Sequence, residues 1–307
     1  MSRFARFSWA ILAVLVFVIV WGAYVRASGS GAGCGSHWPT CNGDIVHRPK
    51  SIKTMVELTH RVTSALSGLF VLVQLVWAIR AFPKGHLVRV ATGASMFFML
   101  TEGAVGAMLV RLELVAKDES PLRALVVAIH LINTFLLVAS VTLAAFWASG
   151  GPPLRLRRQG MAGLFTIATL ASTLLLGASG AVTALGDTLF PSGSLREGLA
   201  ADFVSTAHFL VKLRVWHPVI GMAVAGWVLF VGGFVTARKP AKLVRTLSLA
   251  AGVLFVAQVA FGFLNLALLA PIPMQLGHLA LADAVWITLV LLAAAAHADE
   301  PEPTTAT

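Results

Sequence analysis

Residues 9–27 read WAILAVLVFVIVWGAYVRA, a run with no charge before Arg26. A helix of about 20 mostly apolar residues is what crosses the roughly 30 Å hydrocarbon core of a bilayer. The run is too long, and too poor in a small-residue cleavage site, for a removable signal peptide. It therefore reads as a first membrane span, with Arg3 and Arg6 in front of it. Seven further stretches qualify by the same measure: about 60–80, 89–110, 122–147, 161–184, 214–236, 245–270 and 274–296. Between them lie turn and charge signals such as Pro83-Lys84-Gly85, Gly150-Gly151-Pro152-Pro153 and Pro271-Ile272-Pro273.

Composition agrees with a polytopic membrane protein. The 307 residues are 58% hydrophobic and 12% charged, with a mean hydropathy of +0.85, whereas soluble domains carry about 25% charged residues. The net charge of +10 and pI near 10.6 do not indicate nucleic acid, because such binding needs Lys and Arg clustered on a wettable face. Disorder, a coiled coil and a disulfide-rich miniprotein are excluded as well, the last by a count of two cysteines.

Short loops that keep Lys and Arg face the cytoplasm. With the N-terminus inside, the inner side holds 12 basic and 3 acidic residues, and the outer side 11 basic and 8 acidic. The outer loops 27–59 and 185–213 are long and weigh little in this rule, so both termini are expected in the cytoplasm. Glu102 and Asp283 fall inside spans.

The spans divide four and four, which suggests an internal repeat. Gly22-Ala23 ending the first span resembles Gly180-Ala181 in the fifth, and Glu102 to Met108 loosely matches Gln258 to Leu264. An even number of spans per unit gives two halves of equal orientation, related by an axis along the membrane normal. The expected fold is all-α integral membrane: eight transmembrane helices as two pseudo-symmetric four-helix bundles. Residues 1–148 form the N-terminal half, 149–160 a cytoplasmic linker and 161–307 the C-terminal half.

Histidines recur at equivalent places. His60 and His217 stand at the expected starts of spans two and six. His278 stands one turn into span eight. His130 lies about two turns into span four, about 12 Å below its outer end. Ionisable residues inside spans are rare and usually functional, although one such histidine alone is as well explained by hydrogen-bonded packing. Four in this arrangement suit paired axial ligands of haem iron on facing helices. Zinc would want three or four ligands together, and each half offers two. Met222 and Met274 are ordinary apolar filler. His37, His47, His86, His208 and His297 read as solvated residues of loops and ends, with His208, nine residues before His217, the one that could line the outer surface of the second site.

Glu57 stands three residues before His60, on the same helical face. Alone it would be a first-turn glutamate favoured by the helix dipole. Beside an iron ligand, a carboxylate able to take protons or stabilise positive charge becomes the leading catalytic candidate. The second half has Arg214 at the corresponding place. Arg26, Arg61 and Arg214 gather at the outer interface. They are candidates for pairing with haem propionates, or else ordinary interfacial arginines. The first outer loop contains both cysteines, Cys34 and Cys41. On an oxidising membrane face they are expected as a disulfide, serving either as a staple or as a redox relay.

This combination resembles the haem A synthase family: Gly-Cys-Gly-Ser-His-Trp-Pro-Thr-Cys-Asn-Gly at 33–43, Glu-Leu-Thr-His-Arg at 57–61, and histidines at 130, 217 and 278. The resemblance covers essentially the whole chain. It implies oxidation of the C8 methyl of haem O to a formyl group, through a hydroxymethyl stage and with water-derived oxygen. It also implies substrate haem at His60 and His130 with Glu57 beside it, and a permanent haem b at His217 and His278. The implied location is a bacterial cytoplasmic membrane, with both haem sites toward the outer face. Haem O synthase upstream and cytochrome oxidase assembly downstream are the implied partners, with an electron acceptor outside the chain; a homo-oligomer is compatible with all of this. The loop 185–213 lacks the second cysteine pair of some members, and His217 is followed by Pro218 where His60 is followed by Arg61. The alternative is a non-enzymatic di-haem b-type membrane cytochrome, disfavoured for transmembrane relay because both pairs lie toward one face. A transporter would want broken mid-membrane helices.

Overall fold

The computed structural model describes residues 1–44, 48–154 and 160–298. His47, Arg155, Arg157, Arg158, Asp299, Glu300 and Glu302 lie outside the described residues. The described chain forms α1 (Arg3–Ala27), α2 (Ile52–Ala81), α3 (Leu87–Arg111), α4 (Pro121–Ala148) and α5 (Gly160–Leu189). Two short helices follow, α6 (Leu195–Asp202) and α7 (Phe209–Leu213), then α8 (Trp216–Arg238), α9 (Lys242–Ala267) and α10 (Ile272–Ala296). Taking α7 with α8 as one span, eight helical segments are long and apolar enough to cross a membrane. This is a multi-pass, all-helical membrane protein, as expected.

Several helices begin earlier than hydropathy alone suggests, because polar caps and not apolar runs set their starts. Ser51 accepts a hydrogen bond from the Thr54 amide (3.1 Å) and starts α2 at Ile52, not near residue 60. Its polar opening Ile52-Lys53-Thr54-Met55-Val56-Glu57 is thus helical. Ser2 caps α1 and Ser120 caps α4, whose first residue is Pro121, the position where a missing N–H costs nothing. His86 and His208, expected as solvated, instead cap α3 and α7 by accepting from Val88 and Leu210 amides through Nδ1.

Helices α1–α4 pack in a closed ring, α1 on α2, α2 on α3, α3 on α4 and α4 back on α1. Helices α5, α8, α9 and α10 close a second ring in the same order. The seam joins α1 and α4 to α5 and α10. There the Trp286 indole N–H donates to the Phe135 carbonyl (2.6 Å), and the two rings stack with centroids 5.4 Å apart. Ile11, Leu12, Leu15, Val138 and Val290 surround this pair in one buried cluster. Outward-facing apolar residues such as Leu100, Ile167 and Leu249 are more than half exposed, as a lipid-facing surface requires.

At the opposite end, His297 is 8% exposed and its Nε2 lies 2.8 Å from Thr166 Oγ1. The expectation of a solvated histidine is corrected: the end of α10 folds back on α5. Burial, and secondarily the Lys239 ammonium, lower its pKa.

Both contacts have measurable consequences. Trp286→Ala removes the largest buried ring of the seam and its hydrogen bond, and should cost about 3–5 kcal/mol in equilibrium unfolding in detergent. Because folding favours the neutral His297 ring, its contribution is complete above the ordinary value of about 6.5 and is lost as pH falls below it. Melting temperature should therefore drop less between about pH 7.5 and pH 5 in His297→Gln than in the parent, read by thermal melts in buffers of matched ionic strength.

Candidate functional site

A cavity of about 1160 Å3 runs through both rings, larger than the usual 300–1,000 Å3 of a single small-molecule pocket. His60, His130, His217 and His278 all line it. The sequence suggested a site in each half, and residues of both halves line this space.

The positions of the rings differ in part from expectation. Because α2 starts at Ile52, His60 lies eight residues inside it, about 12 Å from its end, and not at a helix start. His130 lies nine residues into α4, His278 six into α10, and His217 is the second residue of α8. Three of the rings rest on a glycine of a neighbouring helix. A Cβ on Gly22 would stand 2.8 Å from His60, one on Gly180 2.9 Å from His217, and one on Gly262 3.0 Å from His278. The similarity of Gly22-Ala23 to Gly180-Ala181 in sequence thus has a physical reason: only a residue without a side chain lets the helix backbone approach an imidazole this closely. Gly106, the counterpart of Gly262, has open space where its Cβ would be.

The donor chemistry fits haem. Metal–imidazole bonds of about 2.0 Å would set two rings on opposite sides of one metal with centroids roughly 6 Å apart; those of His217 and His278 are 6.3 Å apart and nearly perpendicular. Nδ1 of His217 lies 3.0 Å from Ser179 Oγ, which orients the ring. Gln258 Nε2 donates to the His278 carbonyl (3.1 Å) and lies 3.3 Å from its Nε2, a second contact that ligation through that nitrogen would displace. The Nδ1 atoms of His60, His130 and His278 are buried without hydrogen-bond partners. Among the described residues no three His, Cys, Asp or Glu side chains converge as around a protein-held metal ion.

Glu57 is 3% exposed and borders the same cavity. Its Oε2 accepts from the Cys34 amide (2.8 Å), and its Oε1 accepts from Arg61 Nε (3.0 Å) and Nη2 (2.5 Å). Arg61 also donates through Nη1 to the carbonyls of His37 (2.6 Å) and Thr40 (2.7 Å). Cys34 and Cys41 form a disulfide, and Thr54 Oγ1 donates to the Gly33 carbonyl at 2.9 Å. The loop is thereby sewn onto α2, and the bridge holds the Cys34 N–H against the carboxylate.

The other two arginines are engaged within the protein. Arg214 pairs with Asp202 (2.9 Å) and Asp187 (3.2 Å), and all three border the cavity. Arg26 reaches from α1 across the seam to the Ala184 carbonyl (2.7 Å), Thr188 Oγ1 (2.7 Å) and Gln275 Oε1 (3.0 Å). Sequence reading missed Asp187 and Asp202, although an aspartate closing an apolar helix is a signal for a nearby cation. It noted Glu102 and gave it no role. Glu102 borders the cavity beside His130.

The glycine contacts carry a direct test. Gly180→Ala should push His217 out of place and lower the haem retained on purification several-fold. Gly93→Ala, where nothing lies within 4 Å, should leave it unchanged; pigment absorbance per protein reads both.

Comparison with known proteins adds a lineage. The sequence pattern of the COX15-CtaA family, described as cytochrome oxidase assembly protein, matches residues 5–290. A protoheme IX farnesyltransferase of Thermus thermophilus is 50% identical over 295 residues, covering 96% of this chain and 48% of that protein. This chain therefore spans about half the length of that relative. A heme A synthase of Symbiobacterium thermophilum is 37% identical over 149 residues, 47% of this chain and 45% of its own. One of Geobacillus kaustophilus is 37% identical over 101 residues, 33% of this chain and 32% of its own. With the family pattern matching nearly from end to end of an eight-span fold, the chain belongs to the COX15-CtaA family of cytochrome oxidase assembly proteins, the haem A synthases.

Proposed function

We propose that this protein oxidises the C8 methyl of haem O to the formyl group of haem A. The observation that carries the reading is the placement of all four histidines on one cavity, with the pinned carboxylate of Glu57 on its wall. His60 and His130 would hold the substrate haem in the half formed by residues 1–148. His217 and His278 would hold a resident haem b in the half formed by residues 161–307, joined by the linker 149–160. A bound haem b supplies one-electron chemistry beside the substrate.

Converting a methyl to a formyl group takes up one water and releases four protons and four electrons, in two two-electron stages with a hydroxymethyl group between them. The electrons leave to an acceptor outside this chain. Glu57 is placed to receive protons or to stabilise positive charge developing at the methyl carbon. Negative charge fixed in a low-dielectric wall does this without reorganising during the reaction. Arg61 and the Cys34 amide hold the carboxylate in one orientation, so the disulfide loop serves as the support of the catalytic acid. Arg26, Arg61 and Arg214 line the same space with positive charge and remain candidates for the propionates.

The apolar spans and the basic inner loops support a bacterial cytoplasmic membrane location, with both termini inside and the haem sites toward the outer face. The Thermus relatives bear the name of a farnesyltransferase and are about twice as long as the segment they share with this chain. That architecture supports haem O synthase as the upstream partner, with cytochrome oxidase assembly as the recipient.

The test is expression in a host that supplies haem O, with haem identified by pyridine haemochrome spectrum and mass. The parent should yield haem A, and Glu57→Ala should retain haem and yield none. Normal haem A from Glu57→Ala would remove its catalytic role. Haem B alone in the parent, with no haem A formed, would favour the di-haem cytochrome.

A further inference from the structure

The first ring contains a polar network that the reaction as described does not use. Glu102, inside α3, accepts from Asn133 Nδ2 (2.5 Å) through Oε2 and from Thr134 Oγ1 (2.6 Å) through Oε1. Its Oε1 also lies 3.5 Å from Nδ1 of His130. His130, Asn133 and Thr134 are spaced i, i+3 and i+4 on α4, so they present one face to this carboxylate. Asn133 is itself held by Thr101 Oγ1 (2.6 Å) and by donating to the Phe98 carbonyl (2.9 Å). Asn133 and Thr134 are thus satisfied. His130 Nδ1 is buried without a hydrogen-bond partner, a few tenths of an ångström beyond a formed bond to Glu102.

The second ring is built differently at the equivalent place. Gln258, the counterpart of Glu102, is neutral, and it reaches the His278 carbonyl and Nε2. The counterparts of Asn133 and Thr134 are Leu281 and Ala282, which offer no donor. His278 is set by its contact with Gly262, whereas Gly106 makes no such contact in the first ring. Three histidines are therefore positioned by glycine backbone, and His130 has a carboxylate instead.

We propose that Glu102 is a positioning residue for His130: it accepts the Nδ1–H, fixes the tautomer that leaves Nε2 for haem iron, and makes this imidazole a stronger donor than that of His278. The proposal rests on the reading of His130 as an iron ligand. A carboxylate behind a ligating imidazole raises its basicity, and such partners are worth 10–100-fold in affinity or activity. A stronger donor favours ferric over ferrous iron, so the two haems of one protein would differ in potential by construction of this chain.

The experiment uses the full-length, haem-loaded protein. His130→Ala identifies the first-ring haem as the signal that is lost. If no haem is lost, the ligand reading fails, and the role of Glu102 fails with it. Redox titration of Glu102→Gln, which keeps shape and removes charge, should shift the first-ring haem toward the ferrous state by about tenfold, a rise of about 59 mV for a one-electron couple. The second-ring haem should not move. Glu102→Asp, which keeps charge and loses length, should stay closer to the parent. Loss of first-ring haem in Glu102→Gln with retention in Glu102→Asp would also support the proposal. An unchanged first-ring potential in Glu102→Gln would overturn it, as would equal effects of the two substitutions.

Discussion

A bilayer offers no hydrogen-bond partner, so each polar atom in a span must find one inside the protein or carry the cost of having none. Most polar residues here meet that constraint locally. Ser67, Ser95, Thr142 and Thr173 donate to carbonyls one turn back on their own helices, and Gln74 Nε2 donates to Ser8 Oγ across the α1–α2 contact while its Oε1 has no partner. Against that background the unmet atoms stand out. Three histidine Nδ1 atoms are without partners, and all three rings border the cavity. Asp283 shares the condition with both carboxylate oxygens, buried in α10 five residues below His278.

The two rings share a plan and differ in charge. Glycine-backed histidines on α2 and α8, and a glutamate or glutamine on α3 and α9, show common construction. Yet the outer wall has Glu57 held by Arg61 in one half, and Arg214 held by Asp187 and Asp202 in the other. Both ion-paired groups border the cavity, so the two halves differ in which charge sits on the histidine-bearing helix and which comes from its neighbours.

Spans and their number were legible in the sequence, because a hydrophobic run is an unambiguous signal once charge is scarce. The start of α2 was not. Its first two turns contain the polar Lys53, Thr54 and Glu57, so hydropathy ends where the helix continues under the control of the Ser51 cap. The burial of His297 was equally hidden, since it depends on α5 lying beside the end of α10, a tertiary fact no local pattern encodes. The disulfide was anticipated, but not that its amide would seat Glu57. The partners of Arg26 lie 158 to 249 residues away along the chain, which puts them out of reach of any motif.

Arg26 and Trp286 both cross the seam, and they do so at different depths. On α10 the points they engage, Gln275 and Trp286, are eleven residues apart, about 16 Å along the axis. Rocking one half against the other would have to break a charged clamp at one level and a stacked, hydrogen-bonded ring pair at the other. The two halves are thus tied to one another at both levels of the seam, by hydrogen bonds of Arg26 at one and by the Trp286–Phe135 pair at the other.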